Sequence, residues 1–374
     1  MVTEKVKLVD LTYYAHLEAE QPEQVLNWNR ESLGFLPFMP KHLHLEVIKH
    51  LNYEGTAFYQ GVKCCFFKKS NHFWDIPFKT HRYLKKQKPD VILVQGLIFP
   101  LQVLFLRLAL GRKTRIMAQH HGEKPYWGIR SLLQKLADRY IDAYLFTSLG
   151  NAAPWISRNI ISSGAKCHEV LEASTYLEKQ DKQEARMQLA IRGNFNFLWV
   201  GRLNANKDPL TVLQAFREYS QVNEQARLYM IYQEESLLPA VAEYIRGHRG
   251  LGEVVSLVGR VARQHLATWY SAVDFYLSAS HHEGSGYALL EAMACGCVPV
   301  VTDIPPFRKI TGEGQYGFLY QAGNPESLLA CLRALPDSKE EGRAEALRQH
   351  FARELSFQAI AEKLTAVVSG LPAK

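Results

Sequence analysis

The chain has 374 residues, 47% of them hydrophobic and 22% charged, and a formal charge of +7. Such values suit a soluble globular protein, and the length favours about two domains over one core. No apolar run reaches the roughly 18 residues of a spanning helix. The N-terminal "MVTEKVKLVDLTYY" lacks the apolar centre of a secretory signal, so a cytoplasmic location is the expectation.

The charge is uneven. Residues 1–180 hold 24 Lys and Arg against 16 Asp and Glu, and the rest hold 20 against 21. The basic half suits an anionic or membrane-linked acceptor, with peripheral contact at the inner face of an anionic membrane. A run such as "RYLKKQKPD" also has a plainer use, since its lysines fall where a helix should end. No aromatic-interleaved basic motif points to nucleic acid. The six cysteines show no disulfide framework, and the Cys295-x-Cys297 pair below His281 and His282 lacks the spacing of a zinc site.

Along the first half, strand-length apolar runs ("VKLVDL", "HLHLEVI", "VKCCFF", "VILVQG", "TRIMAQ", "AYLFTS", "CHEVLEA") alternate with helical patterns ("IPFKTHRYLKKQ", "GIRSLLQKLADRY", "NAAPWISRNI"). "LIFPLQVLFLRLALG" reads as a buried core helix. "HLHLEVIKH" alternates with period two and, with turns at Gly55 and Gly61, predicts an antiparallel hairpin added to a mostly parallel sheet. A polar linker, "YLEKQDKQEARMQLAIRGN", breaks the rhythm. A second α/β series runs from "FNFLWVG" to "CVPVVTD", and the tail is helical. The expected architecture is α/β: two Rossmann-like domains, 1–175 and 176–354, with mostly parallel sheets facing a central cleft. The terminal segment 355–374 can return to the first domain. "GEGQYG" mimics a dinucleotide fingerprint, but it precedes an extended segment and opens no helix, so it is a turn.

Two segments of the second series carry chemistry. In "FLWVGRLNANKDPLTVLQAF" a strand runs into Gly201, and Arg202 and Lys207 follow before a helix opens. Cations at a strand's carboxyl end suit a diphosphate, Arg as a fork and Lys as a point charge. In "VDFYLSASHHEGSGYALLEAMACG" a second strand ends before Glu283, Gly284, Ser285 and Gly286, and a helix begins. Its first N–H groups, around Gly286, Tyr287, Ala288 and Leu289, can cradle a phosphate. Glu291 lies among Leu289, Leu290, Ala292 and Met293 on a mostly buried helix, where a carboxylate needs partners. Glu283 and Glu291 each suit ligand hydroxyls.

These segments resemble the retaining GT-B glycosyltransferases of family 4. "VGRLNANKDP", "SLVGRV" and "SHHEGSGYALLEAMACGCVPVV" stand in the family's order and at similar distances. The resemblance implies transfer of a sugar from a nucleotide-diphosphate sugar to a glycan or lipid-linked acceptor, with retention of configuration and no metal or other cofactor. It implies that Arg202 and Lys207 bind the donor diphosphate, that Glu283 meets the transferred sugar as a catalytic residue, and that Glu291 bonds the ribose. In the first domain "TRIMAQHHGE" places His121 before Gly122 at the family's catalytic position, with His120 its nearest rival. The family's usual "P-N-G-V-D" before the linker is replaced by "LEASTYLEK", and its glycine-rich first turn by "TYYAHLEAEQPEQ". The resemblance leaves open the sugar, the base and the acceptor. It also leaves open two other activities on the same architecture, a nucleotide-sugar epimerase and a catalytically silent binding protein.

Overall fold

The computed structural model describes residues 5–336 and 341–372. The chain divides into two compact units, Met1–Ser174 with Phe357–Lys374, and Thr175–Ser356.

Among its described residues the first unit holds eight strands: β1 (Val6–His16), β2 (Leu43–Leu51), β3 (Gly55–Tyr59), β4 (Val62–Phe67), β5 (Val91–Gln95), β6 (Arg115–Gln119), β7 (Ala143–Phe146) and β8 (Cys167–Glu169). Their order is β3-β4-β2-β1-β5-β6-β7-β8, parallel throughout except that β3 runs against β4. The predicted hairpin therefore moves. β2 pairs parallel with both its neighbours, and the antiparallel pair is β3–β4, closed by Gln60 and Gly61, both at positive φ. Two such residues make the tight turn whose twist matches paired strands. β2 instead follows β1 through a long crossover containing the helix Pro22–Trp28, as a parallel neighbour must.

Val9, Leu11, Ile48, Ile92, Val94, Ile116 and Phe146 from these strands build one core with Trp155. The helix Pro100–Leu110 buries only one face on it, through Val103 and Leu106, and leaves Leu108 79% exposed. It is not the all-round core helix its composition suggests. The unit is completed by the helix Phe357–Gly370. The Phe357 ring lies against Gly34 so closely that a methyl there would come within 2.3 Å of it, and the Leu371 carbonyl accepts from Arg115 at 3.1 Å.

The second unit holds β9 (Phe195–Gly201), β10 (Ala226–Tyr232), β11 (Val255–Gly259), β12 (Phe275–Ser278), β13 (Val298–Thr302) and β14 (Phe318–Tyr320), all parallel in the order β11-β10-β9-β12-β13-β14. That is the doubly wound dinucleotide-fold order, with the direction of winding reversing between β9 and β12. Phe197, Trp199, Phe216, Met230, Phe275 and Leu277 centre its core. The polar segment expected as linker contains the helix Lys182–Leu189, capped by Asp181. Lys182 and Arg186 on it bind the buried Asp274. Cys295 and Cys297 are buried, and burial pushes the Cys295 thiol up to about 12. "GEGQYG" is a turn leading into β14. Among the described residues no helix is long and apolar enough to cross a membrane.

Candidate active site

In the second unit the site grows from the reversal of winding. Connections leave the carboxyl ends of β9 and β12 in opposite directions, which opens a crevice between them. Gly201 closes β9. The loop that follows is pinned at Leu203, whose N–H donates to the Glu234 carbonyl at 2.9 Å, and it ends at Asp208, which caps the helix Pro209–Val222. The loop after β12 carries His281 to Gly286.

Asn206 ties these two loops together. Its side-chain amide donates to the His282 carbonyl at 3.0 Å and accepts from the His282 N–H at 3.1 Å. Its own carbonyl accepts from the His281 N–H at 2.9 Å, and the His281 ring meets Asp208 at 2.9 Å. With the loops so held, Lys207 Nζ pairs with Glu283 Oε1. Their side chains are 22% and 13% exposed, so the pair is partly withdrawn from water. Arg202 is not part of it: it points outward, 71% exposed, with Glu234 at 4.0 Å. Of the two predicted diphosphate ligands, one is held in the crevice and the other stands at its rim.

Gly286 starts the helix Tyr287–Ala294 at φ 67°, ψ 55°, and a Cβ there would sit 2.6 Å from Phe307. Glycine is required on both counts. Its carbonyl accepts from the N–H groups of Leu289 and Leu290, and the Leu289 side chain is fully buried. Leu289 thus serves the helix itself, and among the predicted helix-end donors Ala288 is better placed to meet an anion. Gly284 and Tyr287 flank that turn, Tyr287 with its side chain 43% exposed. Glu291 is 5% exposed, and its two oxygens accept from Arg263 at 3.2 Å and Tyr270 at 3.1 Å. Burial and the nearby Glu291 hold the Tyr270 phenol well above its ordinary value. Neither Arg263 nor Tyr270 stands out in the sequence.

The first unit has its own cavity of about 300 Å³ at the carboxyl ends of β1, β2, β5 and β6, where Asp10, Lys49, Gln95 and His121 face a largely apolar wall that includes Leu33, Ile98 and Phe99. The paired histidines are placed differently around it. His120 is 2% exposed, packed on Phe146 and Trp155, and burial lowers its pKa. His121 lines the cavity. Its Nε2 lies 2.7 Å from Gln95 Oε1 and its Nδ1 meets Glu172. Gln95 in turn donates through Nε2 to Asp10 Oδ2 at 2.6 Å. Acceptors on both ring nitrogens call for an N–H on each, which is the imidazolium. Burial opposes that charge, but the Glu172 carboxylate outweighs it and the His121 pKa is raised.

Beside this relay, Lys49 is 3% exposed and donates to Thr12 at 2.9 Å and Asn29 at 3.3 Å. Burial lowers the Lys49 pKa and raises that of Asp10. Asp10 Oδ1 is buried and has no hydrogen-bonding partner among the described residues. Asp10, Lys49, Gln95 and Glu172 are site residues that sequence reasoning misses. An acid inside the apolar run "VKLVDL" is the one local sign of them.

Residues 181–351 match the family model of glycosyl transferases group 1. Among curated proteins the chain is similar to the GDP-mannose:cellobiosyl-diphosphopolyprenol alpha-mannosyltransferase of Xanthomonas campestris. That match is 26% identical and covers 66% of this chain and 64% of that one. A Campylobacter jejuni N-acetylgalactosamine-N,N'-diacetylbacillosaminyl-diphospho-undecaprenol 4-alpha-N-acetylgalactosaminyltransferase is 24% identical over 70% of this chain and 72% of its own. The match thus spans less than two thirds of the Xanthomonas relative's length. Among solved structures, Anabaena HepE in complex with UDP superposes with a TM-score of 0.74 over 98% of this chain and 100% of that one, at 15% identity. That likeness shows the GT-B fold.

Proposed function

We propose that this chain, whose residues 181–351 match the family model of glycosyl transferases group 1, moves a hexosyl group from a nucleotide-diphosphate sugar to a glycan or lipid-linked acceptor, with retention of configuration and without a metal. The observation that carries this reading is the Lys207–Glu283 pair, set where the sheet reverses its winding and beside a glycine-started helix end. That place in an open α/β sheet is where ligands bind. Lys207, Arg202 and the Ala288 N–H neutralise the leaving diphosphate, which is the largest charge the reaction releases. Glu283 takes the hydroxyls of the sugar that shares Lys207 with it, and Glu291, steadied by Tyr270 and Arg263, takes the ribose.

The second unit is thus the donor-binding one. The first unit takes the acceptor in its cavity, where a cation, a carboxylate and an amide can meet hydroxyls and the apolar wall can meet the faces of a sugar ring. His121, charged and braced by Glu172 and Gln95, is its catalytic residue. A protonated imidazole offers a positive charge and a hydrogen-bond donor, not a base. The enzyme works in the cytoplasm. The relatives' names mention GDP-mannose and diphosphate-linked polyprenols, which makes a lipid-linked acceptor the first to try.

The test is thermal stability against a panel of UDP-, GDP- and ADP-sugars, followed by transfer with the stabilising donor and NMR of the product anomer. A ligand at 100 times its Kd raises native-state stability by about 2.7 kcal/mol. One nucleotide sugar should do so, and the product should keep the donor's anomeric configuration. A panel with no stabilising member would overturn the reading. Epimerised donor formed without acceptor would replace it with an epimerase.

A further inference from the structure

We propose that the helix Ile129–Asp138 and the Trp127 loop before it form a docking face for an anionic lipid bilayer. This rests on the reading above only for its purpose, which is to bring the first unit to a lipid-linked acceptor.

The helix is inverted. Ile129, Leu132 and Leu136 recur at i, i+3 and i+7, the spacing of one apolar stripe. In a globular protein that stripe faces the core. Here it faces water: Ile129 is 70% exposed, Leu132 63% and Leu136 39%, and Trp127 just ahead is 81% exposed. The side turned inward is mainly polar, with Ser131, Gln134 and Asp138 buried beside the small Ala137. Two of those side chains are bonded in place. Gln134 accepts from the Tyr126 N–H at 2.9 Å and donates to the Leu97 carbonyl at 3.2 Å. Asp138 accepts from Tyr144 at 3.0 Å and Lys166 at 3.1 Å. The helix cannot roll its leucines inward without breaking these bonds, so their exposure is built into the fold.

The rim of the stripe identifies the partner. Lys124, Arg130, Lys135 and Arg139 lie along the same segment and are all exposed, and no acidic residue occurs between Lys124 and Ala137. Arg158 stacks on Trp127 at 3.7 Å and donates to the Pro125 carbonyl at 3.0 Å, which holds the indole out from the surface. A short helix with leucines on one face, cations along its border and a tryptophan at its end has the composition of an interfacial helix. A second copy of the chain is a poor occupant, because it would set the same cations against one another. Anionic headgroups complement them.

The experiment is co-sedimentation of the full chain with vesicles of phosphatidylcholine alone and of phosphatidylcholine mixed with phosphatidylglycerol, at low and high salt. Wild type should bind the anionic vesicles at low salt and release them at high salt. Leu132→Ser with Leu136→Ser should weaken binding more than tenfold. Lys135→Gln with Arg139→Gln should weaken it roughly 25-fold at low salt, at about fivefold for each charge near the surface. All four side chains are exposed, so thermal melting and donor stabilisation in solution should stay as in wild type.

Equal and negligible binding to both vesicles overturns the proposal, as does undiminished binding by the leucine variant. A concentration-dependent dimer that the leucine variant abolishes, without vesicle binding, overturns it in favour of a self-association face. Vesicle binding in a chain that no nucleotide sugar stabilises keeps this face and removes the transferase reading. Donor stabilisation without vesicle binding does the reverse.

Discussion

Lys207→Met is the perturbation that tests the crevice most directly. It removes the cation beside Glu283, a carboxylate only 13% exposed. Breaking a fully buried pair costs about 3–5 kcal/mol, and an exposed pair about 0–1 kcal/mol. With one partner 22% and the other 13% exposed, about 2 kcal/mol is expected. In a unit of roughly 180 residues that lowers the transition by about 4–8 °C. Glu283→Gln should cost less, because Lys207 has a flexible stem that can carry its charge to water. The double variant should recover about 1 kcal/mol of the summed loss, the coupling of two groups in contact. The same coupling has a functional face. In the free protein Glu283 competes with the donor phosphates for Lys207. Glu283→Gln should therefore bind the nucleoside diphosphate about fivefold more tightly, the equivalent of ~1 kcal/mol, while transfer slows by about a hundredfold or more. Calorimetric melting of the four proteins and titration with the diphosphate measure both effects. Additive losses to within ~0.3 kcal/mol, with unaltered or weaker diphosphate binding by Glu283→Gln, would refute the argument.

Further outcomes follow from other contacts. Raised in the folded state, the His121 pKa contributes stability that is complete below about pH 6.5 and is lost as pH climbs through the folded value. Urea melts at pH 6 and pH 8 should show a smaller pH-dependent loss in His121→Gln than in wild type, and an unchanged loss would count against the Glu172 pairing. Gly286→Ala should cost about 2–4 kcal/mol through left-handed strain and the Phe307 clash; a near-native Tm would be inconsistent with the turn. Tyr270→Phe should cost about 1–2 kcal/mol by depriving Glu291 of a donor, with a rise in donor KM; unaltered stability and KM would show the phenol idle. Transfer should survive excess EDTA, and loss restored by Mg²⁺ or Mn²⁺ would show that Lys207 and Arg202 do not suffice.

The second unit's site was largely legible because its parts are local. A strand end, a glycine pair and a buried acid lie within one stretch, and each has a physical reason readable at that range. What the sequence hid is partnership. Lys207 and Glu283 are 76 positions apart, and only the adjacency of β9 and β12 brings them together. Asn206 is one more polar loop residue until those loops meet. The first unit hid more, since Asp10, Lys49 and Gln95 stand on three separate strands and become a cluster only through the sheet order. His120 and His121 cannot be told apart in the sequence, yet at the end of β6 one turns into the core and the other into the cavity. The helix at 129–138 is plain from its periodicity, but periodicity shows that two faces differ, not which of them faces inward. The hairpin was misplaced for a similar reason: alternation along β2 is compatible with either strand direction, and the turn at Gln60–Gly61 decides it.

The first unit's chain is interrupted. Its last helix, Phe357–Gly370, is encoded after the entire second unit. On a ribosome adding about 5–20 residues per second, the roughly 180 intervening residues take about 10–40 s to make. For that interval all eight strands of the sheet have been made, while Phe357 has not reached Gly34 and Leu371 has not reached Arg115. The second unit, contiguous in sequence, can close in the meantime. Synthesis order and domain order therefore run opposite to each other: the half that begins first is finished last. A ribosomal pause inside the second unit would lengthen the exposure of the first one's unfinished surface.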